Sequence, residues 1–92
     1  MEMTESEWRT EAERQGVPAH FAESLWRYAA QHLPTGGFLD AVLRNDLADA
    51  VAYADEEALA HLRGIVRLVY WALPGNAWGS PQKVALWLRR AA

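Results

Sequence analysis

The sequence lacks the features that are typical of membrane and secreted proteins. It contains no cysteine, which excludes disulfides, thiolate metal sites and thiol nucleophiles. It has no apolar run close to the roughly 18 residues of a membrane-spanning helix. Its first residues, MEMTESEWRTEAER, are too acidic and too polar for a secretory signal or a transit peptide. From these absences we expect a cytoplasmic protein.

Acidic residues are missing from residue 58 onwards. All twelve lie between Glu2 and Glu57, together with four arginines, so residues 1–57 carry a net charge of −8. Residues 58–92 contain five bases and no acid, a net charge of +5: Arg63, Arg67, Lys83, Arg89 and Arg90. Two alternatives follow. Either the halves compensate each other within the fold, or the basic half faces an acidic protein or a nucleic acid.

Length and composition indicate one globular domain that spans residues 1–92. A chain of this length has room for a single domain, and 51 % apolar with 23 % charged residues is typical of a globular protein. No internal repeat and no strand-length alternation of apolar and polar residues is present, whereas proline and glycine separate segments of helical periodicity. The sequence therefore predicts an all-α fold, a single compact domain of five or six short helices.

The N-terminal segment, residues 1–16, predicts a weakly anchored helix. Thr4 and Glu7 have the spacing of a capping box, in which each side chain bonds to the backbone of the other residue. The apolar content of the helix is limited to Trp8 and Ala12. This helix therefore either docks through its one tryptophan or frays, and a loose attachment is expected.

The middle of the chain predicts a helix over residues 18–33 and a helical segment over residues 38–54. The pair Asn45–Asp46 either divides the second segment into two helices, because both residue types cap helices well, or leaves one bent helix. The apolar face of this segment is expected to continue into the core through Leu47, Ala50, Val51 and Ala54.

The longest predicted helix runs from Asp55 to Leu73, because an N-cap aspartate is followed by two glutamates in the first turn. Three- and four-residue spacing marks its predicted core stripe: Leu59, Leu62, Val66, Val69 and Leu73. Ser80 and Pro81 predict the start of a last helix. Its core stripe is predicted to hold Val84, Trp87, Leu88 and Ala91.

Groups suited to catalysis or metal binding are sparse. No two of the three histidines, His20, His32 and His61, are one helical turn apart. Each could supply at most half of a metal site, whereas a zinc site needs at least three protein ligands. His32 lies on an apolar stripe and is expected to be a core residue. The turn at 35–37 is not followed by the Lys-Ser/Thr pair of a phosphate-binding loop. We therefore expect no metal, no cofactor and no enzymatic activity.

The placement of one tryptophan predicts a partner-binding patch. On the Asp55–Leu73 helix, Trp71 falls nearly opposite the predicted core stripe, in line with Ala60, Gly64 and Arg67. Trp and Arg dominate the energetics of protein interfaces. The residues predicted to bind a partner are Arg63, Gly64, Arg67, Trp71 and Trp78. The alternative is that the first or the last helix packs across this patch within the monomer.

Three segments together resemble a group of small, functionally uncharacterised proteins encoded by tailed bacteriophages and prophages. The segments are PTGGFLDAVLRNDL (34–47), IVRLVYWALP (65–74) and AWGSPQKVALW (77–87), and the resemblance covers roughly residues 18–88. Its motifs carry no known chemistry. The resemblance implies a small accessory protein that binds a host or phage component in the host cytoplasm. Inhibitors of host defence are one kind of such accessory protein.

These observations predict a small non-enzymatic factor that acts through protein–protein contact, with a host component, a phage component or a second copy as partner. The alternative is a small nucleic-acid-binding protein that uses the basic C-terminal half. A membrane partner is not expected.

Overall fold

Seven α-helices form the part of the chain that the computed structural model describes, residues 3–90. They are α1 (Glu5–Arg14), α2 (Ala19–Gln31), α3 (Gly37–Leu43), α4 (Leu47–Tyr53), α5 (Glu56–Ala60), α6 (Leu62–Ala72) and α7 (Pro81–Arg89). No strand occurs in this range, so the all-α prediction is confirmed, and the chain is compact, with a radius of gyration of 12.0 Å. The number of helices exceeds the predicted five or six. No helix among the described residues has the length and apolar character needed to cross a membrane.

The N-terminal helix α1 is docked and does not fray. The capping box is formed: Thr4 Oγ1 accepts from the Glu7 amide at 3.1 Å, and the Thr4 amide donates to Glu7 Oε1 at 3.0 Å. The hydrogen bond that the Thr4 amide donates to the carboxylate, with a smaller contribution from the Thr4 side chain, favours the charged form and lowers the pKa of Glu7. Trp8 is only 1 % exposed, and its indole Nε1 donates to the Ala22 carbonyl of α2 at 2.8 Å. A single tryptophan with a satisfied N–H therefore anchors α1 to α2.

Helix α2 buries Leu25, Tyr28 and Ala29 and ends at His32, before Pro34 is reached. His32 is the C-cap, with a left-handed φ of 57°. It is half-buried, and its Nδ1 lies 2.9 Å from the Trp87 carbonyl oxygen. The histidine thus joins the end of α2 to α7, which agrees with the structural role expected of it.

The helical segment predicted over residues 38–54 is divided into α3 and α4 by a turn at Asn45. This residue has a left-handed φ of 62°, and Asp46 caps α4 by accepting from the Asp49 amide at 3.0 Å. The prediction that the apolar face continues along α4 is wrong for Leu47 and Val51, which are 71 % and 48 % exposed, and is confirmed for Ala50, which is buried, while Ala54 is half-buried against the core. The turn at Asn45 redirects the chain, so only the small residues of the predicted stripe reach the core.

The predicted Asp55–Leu73 helix is interrupted at His61, which separates α5 from α6. Its N-cap is confirmed, since Asp55 Oδ1 accepts from the Ala58 amide at 2.8 Å. Its predicted core stripe is confirmed in part: Val69 and Leu73 are buried and Leu62 is half-buried against the core, whereas Leu59 and Val66 are exposed. Two further residues of α6, Ile65 and Leu68, are buried although the stripe did not include them. Periodicity misassigned part of the face because apolar residues occur on nearly every side of α6, and because the interruption changes the phase between α5 and α6.

Helix α7 begins at its predicted cap, where Ser80 Oγ accepts from the Lys83 amide at 3.1 Å. Val84 and Trp87 are buried as predicted, and Leu88 is half-buried. Ala91, the last member of the predicted stripe, lies outside the described residues. The Trp87 indole donates to the backbone carbonyl of Tyr28 at 2.9 Å, which fixes α7 against α2.

Candidate functional site

One side of α6 faces the core and the other faces away from it. At about 100° per residue, the outward positions fall within a single arc of about 140°. These positions are Arg63, Val66, Arg67, Tyr70 and Trp71, and all five side chains are exposed. Together with Trp78 from the following loop, they form what we call the aromatic–arginine face.

Three aromatic rings lie together at the C-terminal end of this face. The rings of Tyr70 and Trp71 are edge to face, with centroids 4.9 Å apart and an interplanar angle of 83°. The rings of Tyr70 and Trp78 have the same type of contact, at 5.9 Å and 65°. Edge-to-face pairs of this kind stabilise one another. Trp71 is nevertheless 68 % exposed, which leaves a large apolar area in water.

The loop that carries Trp78 is held in place from both sides of the tryptophan. The carbonyl of Ala77, which is fully buried, accepts a hydrogen bond from the Tyr28 hydroxyl. The amide of Gly79 donates to the Leu43 carbonyl at 2.7 Å. These bonds to α2 and α3 fix the backbone on either side of Trp78, so the aromatic cluster has a rigid support.

Four of the five residues predicted to bind a partner lie on the aromatic–arginine face. Arg63, Arg67 and Trp71 are exposed on the side of α6 that the helical wheel assigned to them, and Trp78 contacts the same cluster through Tyr70. Sequence reasoning missed Tyr70 itself, although an aromatic residue beside Trp71 is a visible signal.

The expectation for Gly64 needs correction, because the chain itself covers this residue. A Cβ built at Gly64 would lie 2.2 Å from the carbonyl oxygen of Gln15, at the end of α1. The side chain of Gln15 also accepts from Nε of Arg67 at 3.1 Å. The missing side chain thus leaves space into which the end of α1 packs. The patch therefore combines the two alternatives: at Gly64 it is covered by α1 within the monomer, whereas at Trp71 it is exposed.

The positive charges around this face are not paired with carboxylates. Between residues 3 and 90, every ion pair joins two residues of the acidic segment, such as Arg9 with Glu5, His20 with Glu57, and Arg44 with the aspartates near it. Arg67 is bonded to the neutral Gln15, and Lys83 donates to the Gly75 carbonyl at 3.1 Å. The two oppositely charged parts of the chain therefore do not compensate each other through ion pairs within the described range.

A groove of about 390 Å³ lies between α1 and α2. Its floor contains Trp8, Ala12 and Ala22, and its rim carries glutamates and arginines from both helices. A rim of mixed sign favours neither anionic nor cationic ligands. The aromatic–arginine face, with one sign of charge and three clustered rings, is the stronger candidate site.

The histidines do not assemble a metal site. His20 Nε2 lies 3.1 Å from Glu57 Oε1, whereas the ring of His61 lies against the Glu57 carbonyl oxygen at 2.8 Å. His32 is bound to α7 instead. Over residues 3–90, no group of three or more histidine, aspartate or glutamate side chains is placed to hold a metal ion.

The fold and this face together define a small all-α domain with one exposed aromatic and cationic surface. Comparison of the chain with protein-family models, curated proteins and solved structures gave no match.

Proposed function

We propose that this chain is a non-enzymatic protein-binding factor and that the aromatic–arginine face is its contact surface. The observation that supports the proposal is the rigidly supported cluster of Tyr70, Trp71 and Trp78 beside two exposed arginines. Leaving a tryptophan largely in water forgoes a burial that is worth several kcal/mol at about 25 cal/mol per Å² of apolar surface. Trp, Tyr and Arg are also the residue types that contribute most to the affinity of protein interfaces.

The resemblance to phage and prophage proteins gives this proposal a biological context. It implies an accessory role in the host cytoplasm, with a host or phage protein as partner, and inhibition of a host-defence component is one form of that role. This context is an inference by association with the resemblance, whereas the contact surface is argued from the residues.

Single-stranded nucleic acid is the second candidate ligand. Aromatic rings on which bases stack, next to unpaired cations, are typical of such sites. This candidate ranks lower because residues 1–57 carry a net charge of −8, which repels phosphates from the same small domain.

A capture experiment tests the proposal. The full chain, its Trp71→Ala variant and a Leu47→Ala control are used to capture proteins from a lysate of the host bacterium, with and without nuclease. Leu47 is a matched control because it is 71 % exposed and lies on a different helix, α4. We expect nuclease-resistant capture by the wild type and by Leu47→Ala. With Trp71→Ala, affinity is expected to fall by about 30-fold or more, the equivalent of a hot spot of about 2 kcal/mol.

Thermal melts separate loss of binding from loss of folding. Because Trp71 is mostly in water, its replacement should change the free energy of unfolding by no more than about 0.5 kcal/mol, the usual range for surface positions. Capture that is equal for wild type and Trp71→Ala would contradict the proposal. So would capture that disappears with nuclease.

A further inference from the structure

We infer that the partner segment bound by the aromatic–arginine face is an acidic amphipathic helix, with two carboxylates one turn apart beside an aromatic or aliphatic anchor. This inference rests on the proposed function and adds the chemistry of the partner.

The face is positively charged, so it favours a partner that is negatively charged. Arg63 forms no hydrogen bond or ion pair to another side chain between residues 3 and 90, and Arg67 uses only its Nε, toward Gln15. The terminal nitrogens of both guanidinium groups are therefore free to bind carboxylates in the forked geometry that arginine favours. No acid occurs in the sequence after Glu57, so α6 and α7 supply none.

The spacing of the face matches one side of a helix. Arg63 and Arg67 are four residues apart on α6, which places their Cβ atoms about 5–6 Å apart. Two carboxylates at positions i and i+4 of a partner helix have the same separation. From Arg63 to Trp71 the face is about 12 Å long, the rise of eight helical residues. A partner helix of two to three turns therefore reaches both arginines and the aromatic cluster.

The shape of the face favours a helix over an extended strand. An extended peptide usually binds by adding to the edge of a sheet, and residues 3–90 contain no strand to which it could add. The exposed side of α6 is a ridge with Arg63 and Tyr70 near its centre and with Val66 and Trp71 at its two edges, and such a ridge packs side by side with a second helix.

A second copy of this chain does not fit the face symmetrically. Pairing two copies through the same surface would bring four arginines together without one carboxylate, and like charges at an interface are destabilising. A symmetric dimer through this face is therefore disfavoured, and we assign the face to an acidic helix of a different protein, with self-association as one outcome that the experiment must detect.

Selection from a random peptide library tests the inference without knowledge of the partner. A displayed library of random 16-residue peptides is selected on the immobilised full chain, and the enriched peptides are synthesised. Their affinity is measured by isothermal titration calorimetry with the wild type, with Trp71→Ala, with the double variant Arg63→Gln/Arg67→Gln, and with Arg89→Gln. Arg89 is the matched control because it is an exposed cation at the end of α7.

We expect enriched peptides that carry at least two acidic residues and an aromatic or aliphatic residue, and that gain helicity on binding. The double variant should bind them about 10-fold more weakly or worse, and binding should weaken with salt. Arg89→Gln should retain the wild-type affinity to within about 2-fold, a change of less than about half a kcal/mol. Thermal melts of each variant confirm that it is folded.

Several outcomes overturn the inference, and they differ in what they mean for the proposed function. If neutral, basic or extended peptides are enriched, or if acidic peptides bind the double variant as tightly as the wild type, the inference fails. In either case the proposed function stands if Trp71→Ala still weakens binding. If no peptide is enriched and oligo(dT) binds with sub-micromolar affinity at about 150 mM salt in a Trp71-dependent manner, both fail. If sedimentation shows a dimer that Trp71→Ala dissociates, the second copy replaces the acidic partner.

Discussion

Gly64 and Trp71 lie on the same side of α6, seven residues apart, and have opposite surroundings. The glycine is in contact with the backbone of Gln15, at a distance that no side chain could allow. The side chain of Val17 lies next to the same glycine, with Cγ2 3.6 Å from a Cβ built there. Trp71 lies about two turns further along α6 and is 68 % exposed. The missing side chain at position 64 thus permits a close backbone contact that covers this end of α6, while the other end is left exposed.

The variant Gly64→Ala should destabilise the protein by about 1–3 kcal/mol, the usual range for overpacking. The new Cβ would lie 2.2 Å from the Gln15 carbonyl oxygen, so the end of α1 must shift. In an unobstructed helix the same change would stabilise by up to about 1 kcal/mol. Urea denaturation measures the difference.

The control for this prediction is Gly75→Ala. A Cβ at Gly75 has no atom within 4 Å and its φ is not positive, so the effect should remain within about 0.5 kcal/mol. A Gly64→Ala variant that is as stable as the wild type would show that α1 does not end against α6.

At the scale of the element, α6 is a helix whose two sides are both apolar in part but have different roles. Its inner side packs into the core through Ile65, Leu68 and Val69. Its outer side combines Val66, Tyr70 and Trp71 with two arginines. A helix that is apolar on most of its circumference is normally buried on most of its surface. We assign the exposed side of α6 to the partner.

Alanine substitutions on the two sides should differ clearly. Leu68→Ala removes a side chain with no exposed surface and should cost about 2–5 kcal/mol of the free energy of unfolding. Val66→Ala removes a side chain that is 42 % exposed and should change stability by less than about 0.5 kcal/mol. Chemical denaturation of both variants under the same conditions makes the comparison. Equal costs would mean that α6 is rotated relative to the orientation described above.

At the scale of the whole molecule, three aromatic side chains and their polar atoms join distant parts of the chain to α2. The Trp8 and Trp87 indoles donate to carbonyls of α2, and the Tyr28 hydroxyl donates to the carbonyl of Ala77 in the α6–α7 loop. Within the described range, every buried side-chain polar atom has a hydrogen-bond partner. Burial of Tyr28, with a smaller contribution from the charge of Asp40, raises the pKa of its hydroxyl above the ordinary value.

This raised pKa predicts a loss of stability in alkaline solution. The folded state keeps the Tyr28 proton while the unfolded chain releases it near pH 10, so the contribution is complete below about pH 10 and falls as the pH rises further. Between pH 9 and pH 11 the wild type should lose about 1.4 kcal/mol through this residue alone. Urea denaturation at the two pH values measures the loss.

The variant Tyr28→Phe is the control for the alkaline loss. It should be less stable than the wild type at pH 9 by about 1 kcal/mol, because the Ala77 carbonyl loses its partner. Between pH 9 and pH 11, however, its stability should fall less than that of the wild type. If the two proteins lose stability in parallel, the Tyr28 hydroxyl does not contribute to the alkaline transition.

Much of the local structure could be predicted because its causes are local. The caps at Thr4, Asp55 and Ser80 each form the predicted hydrogen bond to an amide three residues later. The break at Asn45–Asp46 could be recognised but not decided, because both alternatives were compatible with the residues. For the candidate site, the outward position of Trp71 followed from helical geometry.

The sequence by itself determined the helical class, most helix starts and the separation of acidic from basic residues, since these depend on neighbouring residues or on composition. Only the tertiary structure decided that Gly64 is covered and Trp71 is not, and that Leu47 and Val66 face away from the core. These outcomes depend on contacts between residues far apart in the chain, such as Gln15 with Gly64. Periodicity could not resolve them, because a helix with apolar residues on several sides has more than one face that could be buried, and its neighbours select one of them.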